Sequence, residues 1–170
     1  MKYVTFLFAI AISATSMQAQ QAYLAECQQK LKNSAEYTLE VAELMPEEKY
    51  DFKPVPEEMS FKEQLLHITG NLNWLTSDYL GGKKLDKDLK KKDYTKAEVL
   101  AIVKEGYALA AEALTNFKPE QLEEPVKFFA GPMTKRQILT LMNDHQTHHR
   151  GQILVYLRLN GVKPPSYRGW

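Results

Sequence analysis

The sequence predicts an all-α protein, a four-helix bundle with long connections. Four separate segments place apolar residues at helical spacing, and no segment alternates strictly over strand length. Proline, glycine and lysine cluster between those segments, leaving connections long enough to cross the end of a bundle. The 170 residues are 44% hydrophobic and 25% charged, which is enough for one buried core.

The N-terminus, "MKYVTFLFAIAISATSMQAQ", precedes the bundle. Lys2 is a short basic n-region, and Val4 to Ala14 form an uncharged apolar run. At roughly 11 residues that run is shorter than the about 20 a bilayer span requires. Residues 1–20 therefore read as a signal peptide with cleavage after Ala19 or Gln20, and residues 21–170 as the bundle domain. Export to the periplasm or the outside follows, with no stable membrane anchor expected, and a retained membrane anchor is the alternative reading of the same run. Cys27 is the single cysteine, so no intrachain disulfide forms, and it reads as a small buried hydrophobe.

The first helix runs from about Ala22 to Met45 and stops at Pro46. A connection with Phe52, Pro54 and Pro56 follows. Ser60 then caps the second helix, with Glu63 completing a capping box, and Gly81-Gly82 end it after Leu80. The next stretch, "GGKKLDKDLKKKDY", holds six lysines and three aspartates and reads as a solvated linker. Thr95 caps the third helix, which extends to about Phe117. Pro119, Pro125, Gly131 and Pro132 mark another connection, in which "KFFAG" is extended or irregular. The fourth helix runs from about Thr134 to Asn160, closed by Gly161 and Pro164-Pro165.

Three of the four histidines lie in "DHQTHHRG", Asp144 to Gly151. At 100° per residue, His149 falls about 40° from His145, and His148 about 60° in the opposite sense. Ile138 and Tyr156 fall at about 20°, Leu141 and Leu159 at about −40°, and Met142 at about 60°. His145 and His149 thus stand one turn apart inside the apolar stripe, where two imidazoles can reach one ion. Two core histidines satisfied by hydrogen bonds would give the same pattern. The remaining histidine, His67, lies in "SFKEQLLHITGNLNWL", about 120° from the stripe of Phe61, Leu65, Ile68, Leu72, Leu75 and Tyr79. Its face also carries Gln64, Asn71, Trp74 and Asp78, which suits either a pocket wall or an exposed surface.

"HQTHHRGQILVYLRLNGVKPP" together with "SFKEQLLHITGN" resembles the DinB family, also called DinB/YfiT-like metalloenzymes. The resemblance covers essentially the whole mature chain. It implies a bundle with a metal at one end, between the second and fourth helices and beneath an open pocket. It assigns His67, His145 and His149 as ligands and leaves His148 out. It also implies one divalent transition metal, zinc or nickel first, then iron or manganese. Three imidazoles do not choose among such ions. Relatives include thiol-dependent S-transferases and isomerases. Low-molecular-weight thiols are mainly cytoplasmic, so for an exported chain hydrolysis stands beside transfer.

The expected activity is therefore metal-dependent chemistry on a small molecule, a hydrolase or S-transferase. The alternative is a non-catalytic metal-binding or stress-related bundle. Gln152, one turn past His149, is a candidate for hydrogen bonding near the ion or a polar residue of the bundle rim. Asn71 and Asp78 are candidates for supporting roles, and Asp78 or Asp144 would replace His67 if it did not bind. Leu139, Leu154 and Leu157 pack on a neighbouring helix or at a homodimer contact. The formal charge of +1 becomes zero without Lys2 and argues against a nucleic-acid partner. A carboxylate-bridged di-iron centre is disfavoured, and covalent haem is excluded for lack of Cys-x-x-Cys-His.

Overall fold

The computed structural model describes the backbone of residues 2–91 and 93–170, and the side chains of residues 17–91 and 93–170. Four helices form: α1 (Lys2–Leu44), α2 (Phe61–Tyr79), α3 (Lys96–Asn116) and α4 (Lys135–Leu159). α1 and α2 each pack against both α3 and α4, so α1 faces α2 across the bundle and α3 faces α4. The connections before α2 and before α4, which join facing helices, therefore cross the bundle ends.

Capping fixes three of the helix starts. Ser60, Thr95 and Thr134 each accept from the backbone N–H three residues on, and Glu63, Glu98 and Gln137 each return a bond to the cap. Positive-φ glycines follow two of the ends, Gly81 after α2 and Gly161 after α4. The stripe predicted on α2 is the core face: Phe61, Leu65, Ile68, Leu72 and Leu75 are fully buried. Leu139 and Leu157 are buried as well and Leu154 is partly so, which places all three within the bundle's own packing. Leu159, expected on the apolar stripe, is instead exposed at the end of α4.

Two features differ from the expectation, and a third makes it specific. α1 starts at Lys2 instead of near Ala22, because no Gly or Pro interrupts residues 2–45. The apolar run proposed as a leader has its side chains outside the described residues. The stretch after Gly82 is not wholly solvated: Leu85 and Leu89 pack on the core, and Asn73 holds the strand of chain by bonding Lys83 O and Leu85 N, both at 2.9 Å. Finally, residues around "KFFAG" form an antiparallel hairpin, β1 (Pro125–Phe128) with β2 (Gly131–Thr134), too short to show alternation in sequence.

The connection before α2 sets where that helix begins. Phe52 O and Tyr50 O accept from the N–H groups of Phe61 (3.0 Å) and Lys62 (2.8 Å), two donors that a helix start leaves unpaired. Phe52 also meets Tyr156 of α4 edge-on at 5.9 Å, so this loop ties α2 to α4 beside the histidines.

Candidate metal centre

His67 comes from α2, and His145 and His149 from successive turns of α4. The helix pair brings them together, with ring centroids 4.4–4.9 Å apart. Nε2 of His67 and Nε2 of His145 are 3.1 Å apart, and one nitrogen from each ring lies within 4.8 Å of the others. Two nitrogens bound at 2.0–2.1 Å to one tetrahedral ion would stand roughly 3.3 Å apart, so His67 and His145 already stand at ligand spacing and the His149 nitrogen lies within 4.8 Å of both. Among the described residues no carboxylate or thiol joins this group.

The three rings differ in exposure: His67 is exposed, His145 intermediate and His149 buried. Burial lowers the basicity of His67. Burial first, then the neighbouring imidazoles, pushes His145 and His149 down to about 4. The cluster is therefore neutral near pH 7, as ligation requires. This is also the donor set expected of a three-ligand site with a further position open.

His149 has a fixed tautomer. Its Nδ1 donates to Gln64 Oε1 at 2.7 Å, which leaves Nε2 with its lone pair free. Gln64 is fully buried on α2, three residues before His67. Its amide nitrogen donates to Gln152 Oε1 and, at 3.5 Å, to Tyr156 OH. The Tyr156 hydroxyl donates in turn to Met59 O at 3.0 Å. Gln152 Nε2 lies 3.0 Å from Nε2 of the exposed His148, so this fourth histidine sits in the outer network and not in the cluster. His145 is less supported: its Nδ1 is buried without a partner among the described residues.

The α2 face of His67 opens on a cleft of about 430 Å³, lined by His67, Gly70, Asn71 and Trp74 on one side and Leu89 and Lys90 on the other. The charged connection is thus a wall of the site. Asn71 lines the cleft, as its shared face with His67 suggested. Asp78 lies elsewhere, 3.7 Å from Lys84 Nζ and bonded by Ser77. Asp144 is exposed and faces a hollow with Tyr23 and Cys27 on the α1 side, because one residue rotates it by about 100° from His145. Cys27 is buried, and burial raises its thiol. Arg150 is buried too, with its guanidinium 5.1 Å from the Tyr37 ring, which makes it a packing element of the α1 interface.

Sequence reasoning placed Gln64 on the His67 face without giving it a role. The signal available was position alone: Gln64 and His67 are one turn apart, and Gln64 falls on the α4 side. Leu89 and the hairpin aromatics carried no signal, since both belong to connections.

The DinB family model matches residues 17–169. YjoA of Bacillus subtilis is 26% identical over 135 residues, covering 77% of this chain and 87% of that protein. The crystal structure of that DinB-like protein superposes with a TM-score of 0.71 at 23% identity, over 84% of this chain and 97% of the other. A DinB-like protein from Bacillus cereus gives 0.70 at 20% identity, over 83% and 95%. These two structures share the fold of α1–α4. With a family match across nearly its whole length, a DinB-like bundle and a three-histidine cluster suited to a metal ion, this chain belongs to the DinB family.

Proposed function

We propose that the chain is an exported, metal-dependent enzyme acting on a small molecule, with His67, His145 and His149 holding one divalent transition metal. The observation that carries this reading is the cluster itself: three neutral imidazoles from two helices, one with its tautomer set by Gln64, beside an open cleft. Zinc or nickel suits this donor set, as does iron or manganese. A bound ion supplies Lewis acidity toward water, a thiol or a carbonyl.

The protein's own groups do the rest. Gln64 holds the His149 ring so that Nε2 faces the other two imidazoles. Tyr156 and the loop carbonyl of Met59 hold Gln64. The cleft beside His67 receives the reacting molecule, with its walls excluding part of the solvent. Hydrolysis is the reaction favoured for an exported chain, and thiol transfer the second. Lys2 and the Val4 to Ala14 run support export. Among the described residues no helix is long and apolar enough to cross a membrane.

The test is an activity panel on metal-loaded protein. Ester, amide and lactone hydrolysis and thiol transfer are assayed with and without a chelator. Turnover that a chelator abolishes and metal restores is the expected result. Tight metal binding with no turnover on any substrate class would favour a non-catalytic metal-binding module.

A further inference from the structure

The cleft continues beyond the histidines. His67, Gly70, Asn71 and Trp74 stand at i, i+3, i+4 and i+7, one face of α2. From His67 to Trp74 that face is about 10 Å long at 1.5 Å per residue. Gly70 lets the opposite wall close in, since a Cβ there would meet Leu89 Cδ1 at 3.0 Å. In the middle, Asn71 lines the cleft, and its Oδ1, shielded from solvent beneath the wall, has no hydrogen-bond partner among the described residues.

The far end is aromatic. Trp74 lines the cleft, and its ring stacks on Phe128 (5.6 Å, 28°) and Phe129 (6.3 Å, 28°) of the hairpin. Phe128 is buried, whereas Phe129 at the turn is 84% exposed. The hairpin thus sets an exposed aromatic ring beside Trp74 that the bundle itself does not cover. Flat rings take further rings in stacked or edge contacts.

We propose that the substrate is an arylalkyl or similarly flat-ended small molecule. Its reacting head lies at the histidines, a turn of the Asn71 side chain offers Oδ1 to an N–H or O–H donor, and its ring lies against Trp74 and the hairpin tip. The placement of the head rests on the metal-centre reading above. The ring and donor contacts do not.

Two arms test the proposal in a Trp170→Phe background, where Trp74 is the remaining tryptophan. In the first, metal-free protein is titrated with 3-phenylpropionamide and with propionamide. Saturable quenching of Trp74 by the aryl amide alone, weakened by Asn71→Leu, is expected. In the second, zinc-loaded protein is titrated by calorimetry with 3-phenylpropionohydroxamate and acetohydroxamate, which share a metal-binding head. The aryl compound should bind roughly tenfold tighter, an advantage that Trp74→Leu removes without altering acetohydroxamate binding. Absence of saturable quenching in the first arm overturns the proposal, as does an aryl advantage that survives Trp74→Leu. Saturable quenching with neither hydroxamate bound would uphold the aryl site and remove the metal-centre reading instead.

Discussion

Replacing Gln64 by Met probes the support of the cluster while keeping the side-chain length. The variant loses the acceptor for His149 Nδ1–H, now 2.7 Å away, and the donor shared by Gln152 and Tyr156. Tyr156 keeps its bond to Met59 O, and half-buried Gln152 keeps His148 and solvent. The cost therefore concentrates on His149, only 7% exposed, whose ring donor is left without a partner. An unsatisfied buried donor costs about 1–3 kcal/mol of stability. Loss of such an outer partner typically weakens metal binding about 10–100-fold. Gln64→Glu keeps the acceptor for His149 and makes that bond charge-assisted but loses the donor to Gln152, so its metal affinity should fall less than that of Gln64→Met. Competition against a chelator of known affinity measures binding, and long-range nitrogen-detected NMR of the imidazoles reads the tautomer. A folded Gln64→Met protein that binds metal like wild type, with His149 still protonated at Nδ1, would refute the reasoning.

Other outcomes follow from the same geometry. His148→Ala should leave most metal binding intact, since His148 meets Gln152 and the edge of the His149 ring and lies outside the three-histidine cluster, and equilibrium dialysis checks this. Metal-free protein should lose stability as pH falls from about 6.5 toward about 4. His145 and His149 have folded values below the unfolded one, so the unfolded chain takes up protons first. Their stabilisation is complete above the unfolded value, and denaturant melts across this range should lose at most about a few kcal/mol. Gly106→Ala should destabilise by about 1–2 kcal/mol, because its Cβ would lie 2.4 Å from Thr69 Cγ2 in the α2–α3 contact. Adding Thr69→Ser, which keeps the hydroxyl bond to Leu65 O, should recover most of that loss in thermal melts. Mature protein recovered from the native host should begin near Gln20 or Gln21, and N-terminal sequencing that finds Met1 would count against export.

The bundle was legible because its cues are local. Ser60, Thr95 and Thr134 announce helix starts, and the stripe from Phe61 to Leu75 announces a core face. His145 and His149 were legible for the same reason, since four residues along one helix share a face. His67 was not placed by periodicity, because a cleft wall and an exposed face carry the same mixture of residues. What resolves it is the packing of α2 on α4, a long-range fact. Leu89 and Phe129 lay hidden for a related reason: a lysine-rich connection and a hairpin turn have too few residues to display a period. Each takes its role from the surface it covers.

The central claim is that three histidines bind one ion, and metal stoichiometry tests it most directly. Wild type and the single variants His67→Ala, His145→Ala and His149→Ala are reconstituted with zinc or nickel, passed through a desalting column and analysed for metal, with circular dichroism confirming the helices. About one ion per wild-type chain and a large loss in each variant are expected, because removing a ligand from a three-imidazole site leaves two. Wild type that retains no ion, or a folded His67→Ala protein that retains the full complement, would contradict it.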